Sequence, residues 1–553
     1  MFDKKFETKC ISSLAKVFAD QDLEEKSYSK ASALRNETFS FQVAYRNSGP
    51  LMKKVQIKSE SLIGDRLIFR TVGLVPSELP SYHDHDEWVL RSTPGLYPDP
   101  LYPIDYTGIT CLPNQWRSIW CTVELDESIK PGTYCIIIIF ETEDGEHLSK
   151  QSFNLTVLSE TLPEQKLIHT EWFHSDCLAE HYEVEVFSEE HWDLIASYMD
   201  TAVKHGINMI LTPIFTPPLD TEVGGERPTV QLVDVSKRGN QYSFSFEKLS
   251  RWIQLSLDKG IKYFEMAHLF TQWGAEHAPK IIANENGKTK KIFGWETVAS
   301  GEEYRNFLSQ FLPALTNFIK DKGMEDKVYF HISDEPRTEH LESYRRASEM
   351  VKVYLADFPI IDALSDYDFY KNGLIEHPIP ANNHLGSFLE NNVSDLWTYY
   401  CCSQYKEVSN RFMNLPSARN RIIGMQLYKY NIEGFLHWGY NFWFSQLSKR
   451  KINPFQNTDA DCSYPSGDAF LVYPGEDGPI ESIRLEVFFE ALQDLCALQL
   501  LEKKIGREDV LELLESDLEK PLTFHEYPRS SEWILNKREE INQLITQLSG
   551  IQK

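Results

Sequence analysis

His331-Ile332-Ser333-Asp334-Glu335-Pro336 closes a short apolar run, Val328 to Ile332, that reads as a buried strand. Side chains alternate along a strand. Val328, Phe330 and Ile332 share one face and are all apolar; Tyr329, His331 and Ser333 share the other and all carry polar atoms. That split fits a strand of an α/β barrel, apolar toward outer helices and more polar toward the axis near its mouth. Glu335 has the parity of the inner face and Asp334 that of the outer face, so a kink is expected at Asp334 if both are to reach one ligand. Pro336 is expected to hold Glu335 at extended or polyproline values and to end the ladder. Adjacent carboxyls resist joint ionisation, so one tends to keep its proton near neutral pH. A neutral and a charged carboxyl side by side suit acid–base chemistry on a bond between them. The plainer alternative is a strand-end turn with two solvated acids; the contrast between the two faces favours a site.

The same texture extends on both sides. Short apolar runs at Leu167–Phe173, Asn208–Leu211, Tyr263–His268, Val328–Ser333, Pro359–Ala363, Asp395–Tyr400, Ile422–Leu427 and Gly434–Trp438 read as strands. Helical spacing lies between several of them, at Glu189–His205, Phe246–Lys259, Tyr304–Asp321 and Glu339–Ala356. Eight strands with intervening helices predict an α/β fold, a (β/α)8 TIM-like barrel over residues 163–484. The stretches 212–245 and 269–300 are too long for plain connections and are expected to build the rim of a site. Ahead of the barrel, Phe39, Phe41, Val43 and Tyr45 alternate with polar residues, and Asp144-Gly145 marks a hairpin between Tyr134–Phe140 and Phe153, Leu155 and Val157. Residues 1–162 therefore read as an N-terminal β-sandwich. From residue 485 to 553 the spacing is helical, broken at Gly506 and Pro521.

The chain has 553 residues and a formal net charge of −26, without a basic block. That argues against nucleic acid and anionic membranes as partners. No apolar run is long enough to span a bilayer, and Met1-Phe2-Asp3-Lys4-Lys5 opens no signal-peptide pattern. Nine cysteines, an odd count without paired spacing, suggest reduced thiols and a cytoplasmic location. Aromatics make up 13%, including 12 Trp and 26 Tyr, and such rings serve both sugar-stacking clefts and cores.

Polar and aromatic residues gather at the strand ends: Trp172 and His174 after the first, His268, Gln272 and Trp273 after the third, His331 on the fourth, Tyr399 on the sixth, Trp438 and Asn441 after the eighth. In a barrel these converge with Asp334 and Glu335, where Trp would stack a sugar ring and His, Asn and Gln would bond its hydroxyls. Four of the histidines could meet, but no zinc-type spacing, no phosphate-binding glycine loop after a strand and no nucleophile elbow is present, so neither metal nor cofactor is expected.

With those residues in place, His331-Ile332-Ser333-Asp334-Glu335-Pro336, Gly434-Phe435-Leu436-His437-Trp438-Gly439, Tyr473-Pro474-Gly475 and Ser482-Ile483-Arg484 resemble glycoside hydrolase family 123 and the broader group of bacterial proteins around it, over essentially the whole chain. The resemblance implies a retaining β-N-acetylgalactosaminidase that works by substrate assistance, the sugar's own 2-acetamido oxygen attacking the anomeric carbon. It implies that Asp334 orients the acetamido group, that Glu335 is general acid and then base, and that Tyr399 bonds the acetamido oxygen. The partner implied is a small oligosaccharide or glycoside; association with further copies of the chain stays open. Two alternatives remain at this stage. One is a barrel glycosidase with its own carboxylate nucleophile acting on a 2-hydroxy sugar, with Glu433 as the available partner acid. The other is a non-catalytic carbohydrate-binding protein.

Overall fold

The computed structural model describes residues 6–551; the Met1–Lys5 start lies outside them. The N-terminal region forms two five-stranded, largely antiparallel sheets. Strands Phe6–Ser12, Thr38–Asn47, Trp116–Glu124, Leu67–Ser77 and Gly95–Pro103 make the first, in that spatial order; Lys30–Arg35, His147–Thr161, Gly132–Glu141, Met52–Glu60 and Ile109–Cys111 make the second. Phe41, Val43 and Ile119 from one sheet and Ile136, Ile138 and Phe153 from the other share a single core. The alternation in Thr38–Asn47 points Phe41, Val43 and Tyr45 into that core. The opposite face is buried as well: Gln42 donates to the carbonyls of Ser12, Ser13 and Ala15.

A mixed α/β region follows, with eight short parallel strands: β1 (Ile168–Glu171), β2 (Met209–Thr212), β3 (Tyr263–Met266), β4 (Val328–Phe330), β5 (Ile361–Ala363), β6 (His377–Ile379), β7 (Trp397–Tyr399) and β8 (Gly434–His437). Six form one sheet in the order β4-β3-β2-β1-β8-β7. β5 and β6 pair separately. Single parallel bridges, Phe330–Ile360 and Ala381–Tyr399, link that pair to β4 and to β7. The long stretches after β2 and β3 are not bare loops. They carry Asp234–Arg238, Gln241–Ser245, Ile281–Glu285 and Lys288–Phe293, which assemble into a four-stranded sheet of their own.

One expected strand is overturned. Ile422–Leu427 lies in helix, within Ser417–Arg421 and Ile423–Lys429 and the residue between them. Ile422, Ile423, Met425 and Leu427 are all fully buried, and a helix buried on every side loses its polar stripe and with it the 3.6-residue signal. Gly424 shows how tightly it packs: a Cβ there would meet the Ala491 carbonyl oxygen at 2.0 Å. The strand expected at this point is instead β6, only three residues long and holding Pro378, upstream of β7.

The C-terminal helices span Ile483–Ile505, Arg507–Glu515 and Ser531–Ile551. Ser482 caps the first through its hydroxyl, 3.2 Å from the Leu485 N–H. Buried guanidiniums tie this region to the rest. Arg421 bonds Glu490 and Asp494, and Arg538 bonds Asp494 and Glu37 of the N-terminal region. Among the described residues no helix is long and apolar enough to cross a membrane. All nine cysteines are unpaired thiols.

Candidate active site

The strand alternation read in β4 holds: Val328, Phe330 and Ile332 join the apolar core, and His331 points to a buried polar cluster. The conformation expected beyond it does not. Glu335 has φ +41°, in the left-handed region rather than extended. Pro336 disfavours right-handed helical values at Glu335, and the chain resolves the parity conflict between the two acids by turning left-handed at Glu335 itself. Such a residue costs about 1–3 kcal/mol and persists only where its surroundings fix it. Here the Glu335 N–H donates to the Ala363 carbonyl at 3.0 Å, and the Asp334 carbonyl accepts from the Trp273 N–H at 3.0 Å.

Both acidic side chains are half-buried. Tyr399, at the end of β7, donates its hydroxyl to Glu335 Oε1 at 2.6 Å. Burial lifts Asp334 well above the ordinary carboxylate range, and the neighbouring Glu335 charge adds to it. Burial also raises Glu335, against the opposing pull of the Tyr399 hydroxyl and of Arg337.

A closed layer of charge lies beneath the pair. His331 Nε2 is bonded to Glu265 on β3, and its Nδ1 lies 3.0 Å from Asp362 on β5. Burial alone would lower the His331 pKa, but the two carboxylates outweigh it and raise it to about 9, so the ring is an imidazolium at neutral pH. Glu265 also accepts from the Thr170 hydroxyl at 2.7 Å and from Trp172 Nε1 at 2.8 Å. His268 stacks on His331 with centroids 4.2 Å apart and 19° between planes. Burial, and then the His331 charge, hold it well below its usual pKa.

His268, His331 and Asp362 offer donor atoms within 4.8 Å of one another. They do not suit a metal: the His331 ring is protonated with both nitrogens committed to carboxylates, so it has no lone pair to offer. The other such grouping, His205 with Glu481 and Glu486, already holds the Arg70 guanidinium.

The remaining expected residues divide. Trp273 is 44% exposed beside the Asp334 backbone, and Trp438 is half-buried with Nε1 on Asp468 at 2.9 Å. These two and Tyr399 can face a ligand. Trp172, at 3% exposure, is no stacking platform; it packs edge-on against His268. His174 is buried between Arg227, which donates to its Nδ1 at 3.0 Å, and the Trp438 carbonyl, 2.9 Å from its Nε2. Burial and the Arg227 charge lower its pKa to about 3, so it stays neutral. Asn441 is spent on the His174 backbone, and Gln272 on the backbone of Asp220 and Thr221.

Several site residues were not foreseen. Tyr464 donates to Asp220 at 2.9 Å and packs against Trp438, and the charges of Asp220 and Asp468 reach the acid pair. They sit on connections with no periodic signal. Glu265 and Asp362 did leave a signal, each a lone acid inside an apolar run: Tyr263-Phe264-Glu265-Met266 and Ile360-Ile361-Asp362-Ala363. Glu433 is exposed at the amino end of β8, whereas Asp334 and Glu335 follow the carboxyl end of β4, so it cannot serve as their partner.

Two half-buried carboxyls at a strand end of a parallel sheet, one of them bonded to a tyrosine hydroxyl, are groups suited to acid–base chemistry. The catalytic-domain model of glycoside hydrolase family 123 matches residues 172–501, and the chain belongs to that family. A family 123 glycoside hydrolase from Clostridium perfringens, whose structure details glycolipid glycan hydrolysis, has the same fold: the TM-score is 0.74 at 17% identity, with 99% of this chain and 98% of that one covered. An endo-β-1,4-mannanase from Thermotoga petrophila (TM-score 0.34, 12% identity, 60% and 77% covered) and a β-galactosidase-like protein from Bacteroides fragilis (TM-score 0.30, 10% identity, 83% and 58% covered) are too distant to bear on the argument. No curated protein matches the chain in sequence.

Proposed function

We propose that the protein is a retaining exo-glycosidase that removes β-linked N-acetylgalactosamine by substrate assistance, with Asp334 and Glu335 as its catalytic residues. The observation that carries this reading is their adjacency. A retaining enzyme with its own nucleophile keeps two carboxyls about 5–5.5 Å apart on opposite sides of the scissile bond, which is hard for consecutive residues leaving one strand end. Substrate assistance removes that demand.

In the first step the acetamido oxygen attacks C1, the C1–O bond to the leaving group breaks, and Glu335 gives its proton to the departing oxygen. In the second, water attacks C1, Glu335 takes the water's proton, and the oxazolinium ring opens to the acetamide. In the free site burial raises both acids, Asp334 well above the ordinary carboxylate range, so the bound sugar sets this division. A substrate N–H donating to Asp334 favours the ionised form there, and the adjacent charge then keeps the proton on Glu335. The imidazolium of His331 lowers Asp334 further toward ionisation. Tyr399, bonded to Glu335 in the free site, would turn to the acetamido oxygen once the sugar binds.

The architecture behind this proposal is an N-terminal β-sandwich over 1–162, a (β/α)8 barrel over 163–484 and a helical region over 485–553. Its support is the chain of parallel pairings from β4 through β1 to β7, with the two single bridges that bring in β5 and β6. The glycan of a glycolipid is one form the substrate could take, by analogy with the Clostridium perfringens protein. Hydrolysis of nitrophenyl β-glycosides differing only at C2 and C4 tests the function. Turnover confined to the 2-acetamido galactoside supports it; equal turnover of the 2-hydroxy galactoside moves the reading to a carboxylate nucleophile.

A further inference from the structure

We propose that Asp362 is a positioning residue for this hydrolysis: one buried carboxylate that fixes His331, Ile332 and Ser333 so that the next two residues present both acids to the substrate. The inference rests on the glycosidase reading above. Asp362 sits at the centre of β5 and is fully buried. Its Oδ1 accepts from His331 Nδ1 at 3.0 Å and from the Ile332 N–H at 2.9 Å. Its Oδ2 accepts from the Tyr344 hydroxyl at 2.5 Å and, more weakly, from the Ser333 N–H at 3.5 Å.

The placement of these bonds matters more than their number. On the β5 side, regular backbone bonding ends with the Phe330 N–H on the Pro359 carbonyl at 3.0 Å and resumes with the Glu335 N–H on the Ala363 carbonyl at 3.0 Å. Between those two rungs the Ile332 and Ser333 N–H groups turn to a side chain instead of a strand. On the β3 side the carbonyls of His331 and Ile332 accept from the N–H groups of Leu269 and Phe270 at 3.3 and 3.0 Å. The segment leading to the left-handed Glu335 is thus held by backbone on one flank and by Asp362 on the other. Buried N–H groups need an acceptor, and here that acceptor also sets where Asp334 begins.

The chemistry of the acceptor is specific. Four donors converge: an imidazolium N–H, a phenolic O–H and two backbone N–H groups. An ionised carboxylate, with two oxygens and no proton, accepts them all. An asparagine of the same shape would turn an NH2 group toward one pair of donors, so Asp362→Asn keeps the volume and breaks the pattern.

The test measures the full-length protein, wild type against Asp362→Asn and Asp362→Ala, each well below its own melting midpoint. Steady-state kinetics on an aryl 2-acetamido-β-galactoside should show kcat reduced about 10²-fold, the scale of a 1 Å misplacement of reacting groups. KM should stay within about threefold, because the sugar's own contacts are untouched. Amide hydrogen exchange at Ile332 and Ser333 should quicken at least about tenfold, while Val43 in the N-terminal core keeps its protection. Asp362→Ala tests the same two amides if the asparagine variant does not fold. A kcat within threefold of wild type, or a large loss of kcat with unchanged exchange at Ile332 and Ser333, overturns the proposal. If wild type turns over no 2-acetamido glycoside, the glycosidase reading is what fails. The exchange arm then decides the positioning claim alone, and unchanged protection overturns it.

Discussion

Two of the molecule's networks of buried charge differ in the cation at their centre. In the C-terminal network Arg421 and Arg538 share Asp494, with Glu490 and Glu37 as outer partners, all between 2.7 and 2.8 Å. A guanidinium cannot lose its proton in a protein, so this charge is permanent and ties the C-terminal helices to the N-terminal region. Beneath the acid pair the cation is the His331 imidazolium, between Glu265 and Asp362. Its charge can be withdrawn, and it lies three residues from a carboxyl whose pKa it lowers.

The largest expected effect falls on the site side of this comparison. Glu335→Gln should cost about 10²–10⁴-fold in rate with poor leaving groups and far less with good ones, which need little protonation. Asp334→Asn should slow all leaving groups alike, because it acts on the acetamido nucleophile. A Hammett-type series of aryl glycosides reads both, and one shared leaving-group dependence would show that the two roles are not separate. Neither variant should lower the melting midpoint.

The C-terminal network should behave the opposite way. Asp494→Ala leaves two buried guanidiniums short of a partner and should cost about 3–5 kcal/mol of stability. The kcat per folded molecule, counted by active-site titration, should stay within about twofold. Denaturant unfolding checks the first statement, and a large loss of turnover in the folded fraction would join the two networks that are separated here.

That separation was only partly visible in the amino-acid pattern. The acid pair was legible because two carboxyls followed a strand with one polar and one apolar face. Tyr399 and Trp438 stood at strand ends and could be read there. The surrounding layer was harder to see. Glu265 and Asp362 are single acids whose partners lie on neighbouring strands, and pairing between strands leaves no local trace. Ile422–Leu427 misled for a related reason: full burial removes the polar stripe that marks a helix. The turn at Glu335 was missed because Pro336 restricts its neighbour without selecting the left-handed alternative.

A smaller effect concerns Tyr399. Its bond to Glu335 favours the ionised carboxylate, so Tyr399→Phe should raise the Glu335 pKa and move the alkaline limb of the pH–rate profile upward. The optimum rate should fall by about tenfold, the scale of one lost hydrogen bond to a charged group. A limb that stays in place would place the tyrosine's role on the substrate alone.

The smallest is a pH dependence of stability. His331 is raised to about 9 in the folded protein from 6.5, so its contribution is complete below pH 6.5 and fades as pH climbs toward 9. The gap in melting midpoint between wild type and His331→Gln should therefore narrow from pH 7 to 9.5. A constant gap for His331 would mean that the ring is not an imidazolium.

The central claim, that the substrate's own acetamido oxygen is the nucleophile, is tested most directly by a series of aryl β-galactosides whose 2-acetamido methyl carries zero, one, two or three fluorines. Fluorine weakens the carbonyl oxygen as a nucleophile without changing the leaving group. The account predicts kcat/KM falling steeply with each fluorine. A flat series, or a glycosyl ester trapped on an enzyme carboxylate, would contradict it.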